Sequence, residues 1–112
     1  VLPTNTVSVT VDPIPAAPTS FSVSVVKANG NNYTATLNWA AAANPANFTI
    51  QRATNLTFTA GLSTSTAAGT ARSLTQTVSR NTTYYYRIRA NNAISGSSDW
   101  VNALPFPIRT GN

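Results

Sequence analysis

The chain has no cysteine, histidine, methionine or glutamate. Without cysteine there is no disulfide framework and no thiolate metal site, so a hydrophobic core must hold the fold alone. Without histidine and glutamate, the usual general base and the usual metal ligands are missing. The only carboxylate side chains are Asp12 and Asp99, and Asp12 sits among prolines. Glycosidase chemistry and calcium binding both want more carboxylates than that. A Ser–Lys dyad would have to use Lys27, the one lysine, beside a turn. These absences point away from catalysis, and no cofactor or metal is expected. No apolar run approaches the roughly 18 residues of a membrane-spanning segment, so membrane insertion is not expected either.

Charge is scarce as well. Charged residues make up 8% of the chain, against about a quarter in ordinary domains. The net charge of +5 comes from Lys27 and six arginines: Arg52, Arg72, Arg80, Arg87, Arg89 and Arg109. They are scattered, and only Arg87 and Arg89 share one strand face. With no Lys/Arg run, the basic balance reads as solvated faces rather than as a nucleic-acid surface.

Small polar residues are abundant instead: 18 Thr, 11 Ser and 13 Asn, with seven Pro. That mixture favours strands and turns over helices, and no window shows an apolar stripe of period 3.6. The class expected is all-β. Four Asn-x-Ser/Thr sequons, at Asn32, Asn47, Asn55 and Asn81, are about what chance gives in such a composition. At 112 residues there is room for one domain and a short appendage. A chain that opens on Val1 with no initiator Met reads as a piece of a longer one, with any targeting signal outside it.

Alternation organises the rest. Val7, Val9 and Val11 have strand spacing, and Val1-Leu2-Pro3 echoes Ala103-Leu104-Pro105, as if residues 1–11 were the last strand of a preceding repeat. A proline-rich linker follows, with Pro13, Pro15 and Pro18. Phe21, Val23 and Val25 then alternate with serines, and Asn29-Gly30-Asn31-Asn32 makes a turn. Tyr33, Ala35, Leu37 and Trp39 point one way; Phe48 and Ile50 open another strand. Leu56, Phe58 and Ala60 suggest a short edge strand, Ser63 to Gly69 a mobile low-complexity loop, and Leu74 a weak strand. From Tyr84 to Arg89, bulky inward candidates Tyr84, Tyr86 and Ile88 alternate with Tyr85, Arg87 and Arg89. Tyr84, just after a polar corner, fits a tyrosine corner, with its hydroxyl expected to donate to backbone between Ser79 and Asn81. The last strand is expected from about Trp100 to Thr110, with Leu104, Phe106 and Ile108 on one face and Pro105 and Pro107 confining it to a sheet edge.

Seven strands at this spacing read as a seven-stranded antiparallel two-sheet sandwich. Residues 17–110 resemble a fibronectin type III domain. Leu37-x-Trp39 resembles the second strand's core Trp, and Phe48-x-Ile50 the third strand's aromatic-x-aliphatic pair. Val78, Thr82, Tyr84, Tyr86, Ile88 and Ala90 match the family's run at the same spacing. The stretches Tyr84 to Ala90 and Gly96 to Asn102 are similar to repeats in secreted prokaryotic proteins. Two departures stand out: Arg80-Asn81 replaces the family's Pro-Gly, and the loop between Ala90 and Gly96 carries one extra residue. The division expected is an N-terminal extension and linker at 1–16, the domain at 17–110 and a tail at 111–112.

The resemblance implies a non-catalytic spacer or interaction module of an extracellular multidomain protein: a surface protein, an adhesin or a secreted hydrolase. Its partners would be adjacent domains of the same chain, a polysaccharide or another surface protein, and the isolated domain would be a monomer. The structural core expected is Leu37, Trp39, Phe48, Ile50, Tyr84, Tyr86 and Ile88. The ligand-face candidates are Tyr85, Arg87, Arg89 and Trp100, read as a sugar-stacking or anion-binding patch. The alternative is that Tyr85 packs across strands on a solvated face and Trp100 covers an end of the sandwich.

Overall fold

The turn at Gly30-Asn31, with Gly30 at φ 48°, folds β1 (Thr19–Asn29) back on β2 (Asn32–Ala40) in an antiparallel hairpin. This is a computed structural model, and it describes residues 15–94 and 96–111. The alternation at Val7, Val9 and Val11 lies outside the described residues. Chain order continues with β3 (Asn47–Ala53), β4 (Ser63–Ala68), β5 (Ser73–Ser79) and β6 (Thr83–Asn92). Three two-residue pieces close it: β7 (Gly96–Ser97), β8 (Val101–Asn102) and β9 (Ile108–Arg109). One sheet has the order β1-β2-β5. The other runs β4-β3-β6, with β7, β8 and β9 on the far edge of β6. All named strand pairs are antiparallel.

Period two decides which side chains are enclosed. In β2, Tyr33, Ala35, Leu37 and Trp39 are buried while Thr34, Thr36 and Asn38 face outward. In β6, Tyr84, Tyr86, Ile88 and Ala90 are buried while Tyr85, Arg87 and Arg89 stay half-exposed on the opposite face. Phe48 and Ile50 of β3 and Phe21 and Val23 of β1 complete the layer between the sheets. Trp39 is 5% exposed and meets Phe21 and Phe48 edge-on, at 6.1 and 5.4 Å between ring centroids. The seven expected core residues thus lie together between the sheets.

Four expectations change. First, the segment expected as a mobile loop from Ser63 is strand β4, paired with β3 from Asn47↔Ala68 to Arg52↔Ser63. Its inward positions Ser63, Ser65 and Ala67 are too small to carry an apolar signal, so the alternation is invisible in composition. Second, Leu56, Phe58 and Ala60 form no edge strand. The Asn55 side chain accepts from the amides of Thr59 and Ala60 at 2.9 and 3.1 Å. It also donates to the Thr57 and Thr59 hydroxyls. One side chain thus satisfies backbone that a ladder would otherwise have paired. Leu56 is left 64% exposed, while Phe58, at φ 57°, is covered to 6% exposure.

Third, the last strand is two pieces, β8 and β9, with β7 formed ahead of it where 91–98 reads as a loop. Its inward residue near the prolines is Ala103, fully buried, whereas Leu104 is 70% exposed. Leu104 leaves β6 for the other sheet: its amide donates to Phe21 O at 3.0 Å and its carbonyl accepts from the Val23 amide at 3.1 Å. With Pro105 and Pro107 unable to donate, β9 rejoins β6 only at Ile108. Splitting this strand and adding β7 raises the count to nine segments among the described residues, in the same two-sheet sandwich.

Fourth, the polarity at the corner is reversed. The Tyr84 hydroxyl accepts from the Ser79 amide at 2.8 Å; the Ser79 carbonyl is already taken by the Thr110 hydroxyl at 2.7 Å. The Arg80-Asn81 substitution works because Asn81 takes the left-handed φ of 54° that glycine usually supplies.

Candidate functional site

The extra residue before the last strand does not lengthen the loop; it makes a bulge. Asn91 faces Ser97, and Ile88 faces Val101. Between those pairs, Arg89 and Ala90 of β6 are matched by three residues, Ser98, Asp99 and Trp100. The Ser98 amide donates to Ala90 O at 2.8 Å, and its hydroxyl accepts from the Ala90 amide at 2.9 Å. Pairing then slips by one. Without the slip, Trp100 would stand opposite inward-facing Ile88. With it, Trp100 lies on the outer face, against the arginines.

The outer face of the larger sheet is therefore a ladder of rings and guanidiniums. The Arg87 guanidinium carbon lies 4.2 Å from the centroid of Trp100 and 4.2 Å from that of Phe58. That of Arg89 lies 4.4 Å from Trp100. Phe58 stacks on Phe106 at 6.3 Å, and Tyr85 meets Phe106 edge-on at 5.1 Å. Contacts of this kind add about 0.5–2 kcal/mol each, more where water is excluded. Arg87 is further pinned by Gln51, whose Oε1 accepts from Nε at 2.9 Å and from Nη2 at 2.6 Å. Loss of hydration, and secondarily the neighbouring charge of Arg89, pull the Arg87 pKa below its ordinary value.

All four ligand-face candidates thus stand on one side of the sheet. Trp100 covers the two arginines rather than an end of the sandwich. Phe58, Phe106 and Gln51 belong to the same face and were not singled out from the sequence. Phe58 was masked by its period-two neighbours, and Phe106 by the assumption that the last strand alternates without interruption. Gln51 could have been found, since it lies one strand across from Arg87 on the same face.

Three of the other four arginines have structural partners, and Arg80 stands exposed at the β5–β6 corner. Arg52 donates to Gln76 Oε1 at 3.1 Å. Arg72 donates to the carbonyls of Gly69 and Ala71 and to Asn44. Arg109 donates to Thr83 and Asn81. Among the described residues no three His, Cys, Asp or Glu side chains gather as a metal site, and no helix is long and apolar enough to cross a membrane.

No family model matches the chain, and no curated protein sequence matches it. Solved structures do. The chain is similar to a myokine structure at 20% identity, with TM-score 0.63 over 88% of this chain and 99% of that one. It is similar to the fibronectin type III domain of the human collagen α-1(XX) chain at 18% identity, TM-score 0.60, over 83% and 81%. It is also similar to the FN5 domain of Drosophila Lar at 14% identity, TM-score 0.61, over 88% and 99%. The two-sheet order, the corner at Tyr84 and these likenesses agree: the chain has the fibronectin type III fold.

Proposed function

We propose that this chain is a non-catalytic spacer or interaction module of an extracellular multidomain protein, joined to neighbouring domains at both ends. The observation that carries this reading is where the chain enters and leaves the sandwich. Strand β1 begins at Thr19, opposite Ala40. The chain departs at Gly111, whose carbonyl accepts from the Asn81 amide and which sits against the Tyr33 hydroxyl. Tyr33 and Ala40 lie at opposite ends of β2, Tyr33 one residue inside its start, so entry and exit are separated by about 23 Å along the strands. A domain threaded end to end in this way adds its length to a chain of domains.

The limits of the domain follow the same features: Pro18 and Thr110 are both fully buried, which supports a folded unit at 17–110 with a linker before it. Of the similar structures, two are named as single domains of larger proteins, collagen α-1(XX) and Lar, and modules of this fold are commonly non-catalytic. A surface protein, an adhesin or a secreted hydrolase would each use such a module, with the isolated domain a monomer. Small-angle scattering on two copies of the chain joined in tandem tests the spacer reading. An extended two-body profile supports it; a compact pair with a large buried interface would overturn it.

A second reading, a carbohydrate- or ligand-binding module using Tyr85, Arg87, Arg89 and Trp100, is favoured by the grouping of these four on one face. Pull-down on insoluble polysaccharides, compared with Trp100→Ala, tests it directly.

A further inference from the structure

We propose that the outer face of β6 at Arg87, Arg89 and Trp100 binds an acidic polysaccharide, whose carboxylate or sulfate groups pair with the two guanidiniums. The first argument is a count of donors. A guanidinium has five N–H groups in a fixed fork. Arg87 uses two on Gln51. Arg89 uses none on any described residue, and its Nε is buried without a partner. Arg72 and Arg109 have acceptors, Arg52 has one acceptor and an unpartnered Nε of its own, and Arg80 stands alone at the β5–β6 corner. Only at Arg87 and Arg89 do two incompletely bonded guanidiniums lie against one ring.

Charge supplies the second argument. Two guanidiniums are held against the same indole, and neither has a carboxylate partner among the described residues. Asp99 is the only acidic side chain described there. Stacking fixes their planes while leaving their charges unneutralised. A planar anionic group that accepts two parallel N–H bonds is the complement of such a fork. The bulge that carries Trp100 outward is the device that assembles the pair.

The surroundings select a polysaccharide among anions. Thr49 and Gln51 of β3, Thr64 and Thr66 of β4 and Asn102 of β8 lie on or beside this face, offering hydroxyl and amide partners for sugar hydroxyls. The cationic run that nucleic acid requires is absent. A neutral sugar would need an open ring face, and Trp100 already stacks against both guanidiniums. This inference rests on the second reading, whose ligand class it names, and not on the spacer reading; equal binding of dextran would keep the second reading and overturn this one.

The test is calorimetric titration of the whole chain with oligogalacturonate as carboxylate probe and a heparin-derived oligosaccharide as sulfate probe. A dextran oligomer of matched length and oligothymidylate are the controls. Binding to one or both acidic glycans, weakened by added salt and absent for dextran, supports the proposal. Arg89→Gln is expected to weaken it about tenfold, the loss of one charge-assisted hydrogen-bonded contact. Arg80→Gln removes the same charge at the corner and is expected to change affinity by about twofold at most. Equal losses in the two variants would reduce the effect to net charge and overturn the site. So would equal binding of dextran, tighter binding of oligothymidylate, or binding of no probe. Amide and indole NMR shifts on the unaltered chain keep the test independent of variant folding. Changes confined to residues 49–51, 87–89 and 100–102 support the site, and changes centred on Lys27 or Arg80 overturn it.

Discussion

The Tyr84 hydroxyl accepts a hydrogen bond from the Ser79 amide across the β5–β6 corner, at 2.8 Å. Tyr84→Phe removes the acceptor and leaves that amide without its partner while keeping the ring in place. A loss of about 1–2 kcal/mol is expected, read from the shift in urea midpoint. Unchanged stability would show that water replaces the phenol without cost.

Thr110 fastens the same corner from the other side. Its hydroxyl donates to Ser79 O at 2.7 Å and accepts from the Thr82 amide at 2.9 Å, and the residue is 1% exposed. Thr110→Val keeps the shape and strands both groups, so a loss of about 2–4 kcal/mol is expected. Thr110→Ser retains the hydroxyl and should recover most of it. Equal losses in the two variants would place the effect in packing instead.

Trp39 is held by Phe21 and Phe48 at the centre of the layer, and Trp39→Ala should cost about 3–5 kcal/mol. The indole Nε1 is buried without a partner among the described residues. Trp39→Phe therefore removes an unmet donor along with some volume, and it should cost less than half as much. Chemical denaturation of the two variants side by side gives the ratio.

How much of this was legible in the sequence depended on what each strand buries. β2 and β6 enclose aromatic and aliphatic side chains on one face only, so Tyr33 to Trp39 and Tyr84 to Ala90 announce themselves by period two. β4 buries only serine and alanine, and nothing in its composition distinguishes it from a loop. The segment around Phe58 fails in the opposite direction, since apolar residues two apart are held by Asn55 rather than by a ladder. At the candidate site, the shared face of Arg87 and Arg89 follows from spacing alone. The position of Trp100 does not, because it depends on a one-residue slip set by Ser98, which only the pairing of two distant segments reveals.

Burial pushes the Tyr86 phenol up to about 12 from its ordinary 10.0, and its hydroxyl donates to Gln76 Oε1 at 3.1 Å. A raised value means that the folded chain holds this proton where the unfolded chain has released it. The contribution to stability is complete below pH 10 and is lost as pH rises from about 10 to about 12. Denaturation midpoints should fall across that window in the native chain and fall less in Tyr86→Phe. An identical alkaline decline in both would assign it to other groups.

Gly69 and Gly30 separate two reasons for glycine. At Gly30 the demand is conformational: φ is 48° and an added Cβ would meet nothing within 4 Å. Gly30→Ala should therefore cost only about 1 kcal/mol, the price of a left-handed residue. At Gly69 an added Cβ would lie 1.8 Å from the Pro45 carbonyl oxygen and 3.1 Å from that of Ala46. Both are backbone atoms, so no side-chain rotation relieves the contact. The loop at 41–46 would have to move away from the β4–β5 connection. That movement would pull on Arg72, which joins Gly69 O to Asn44 and covers the Phe48 ring at 5.6 Å. Gly69→Ala is expected to cost about 3 kcal/mol or more, at the upper end of overpacking effects. Thermal denaturation of the two alanine variants gives the comparison. If Gly30→Ala proves the more damaging, the close approach of the loop to Gly69 is not what holds this end of the sandwich together.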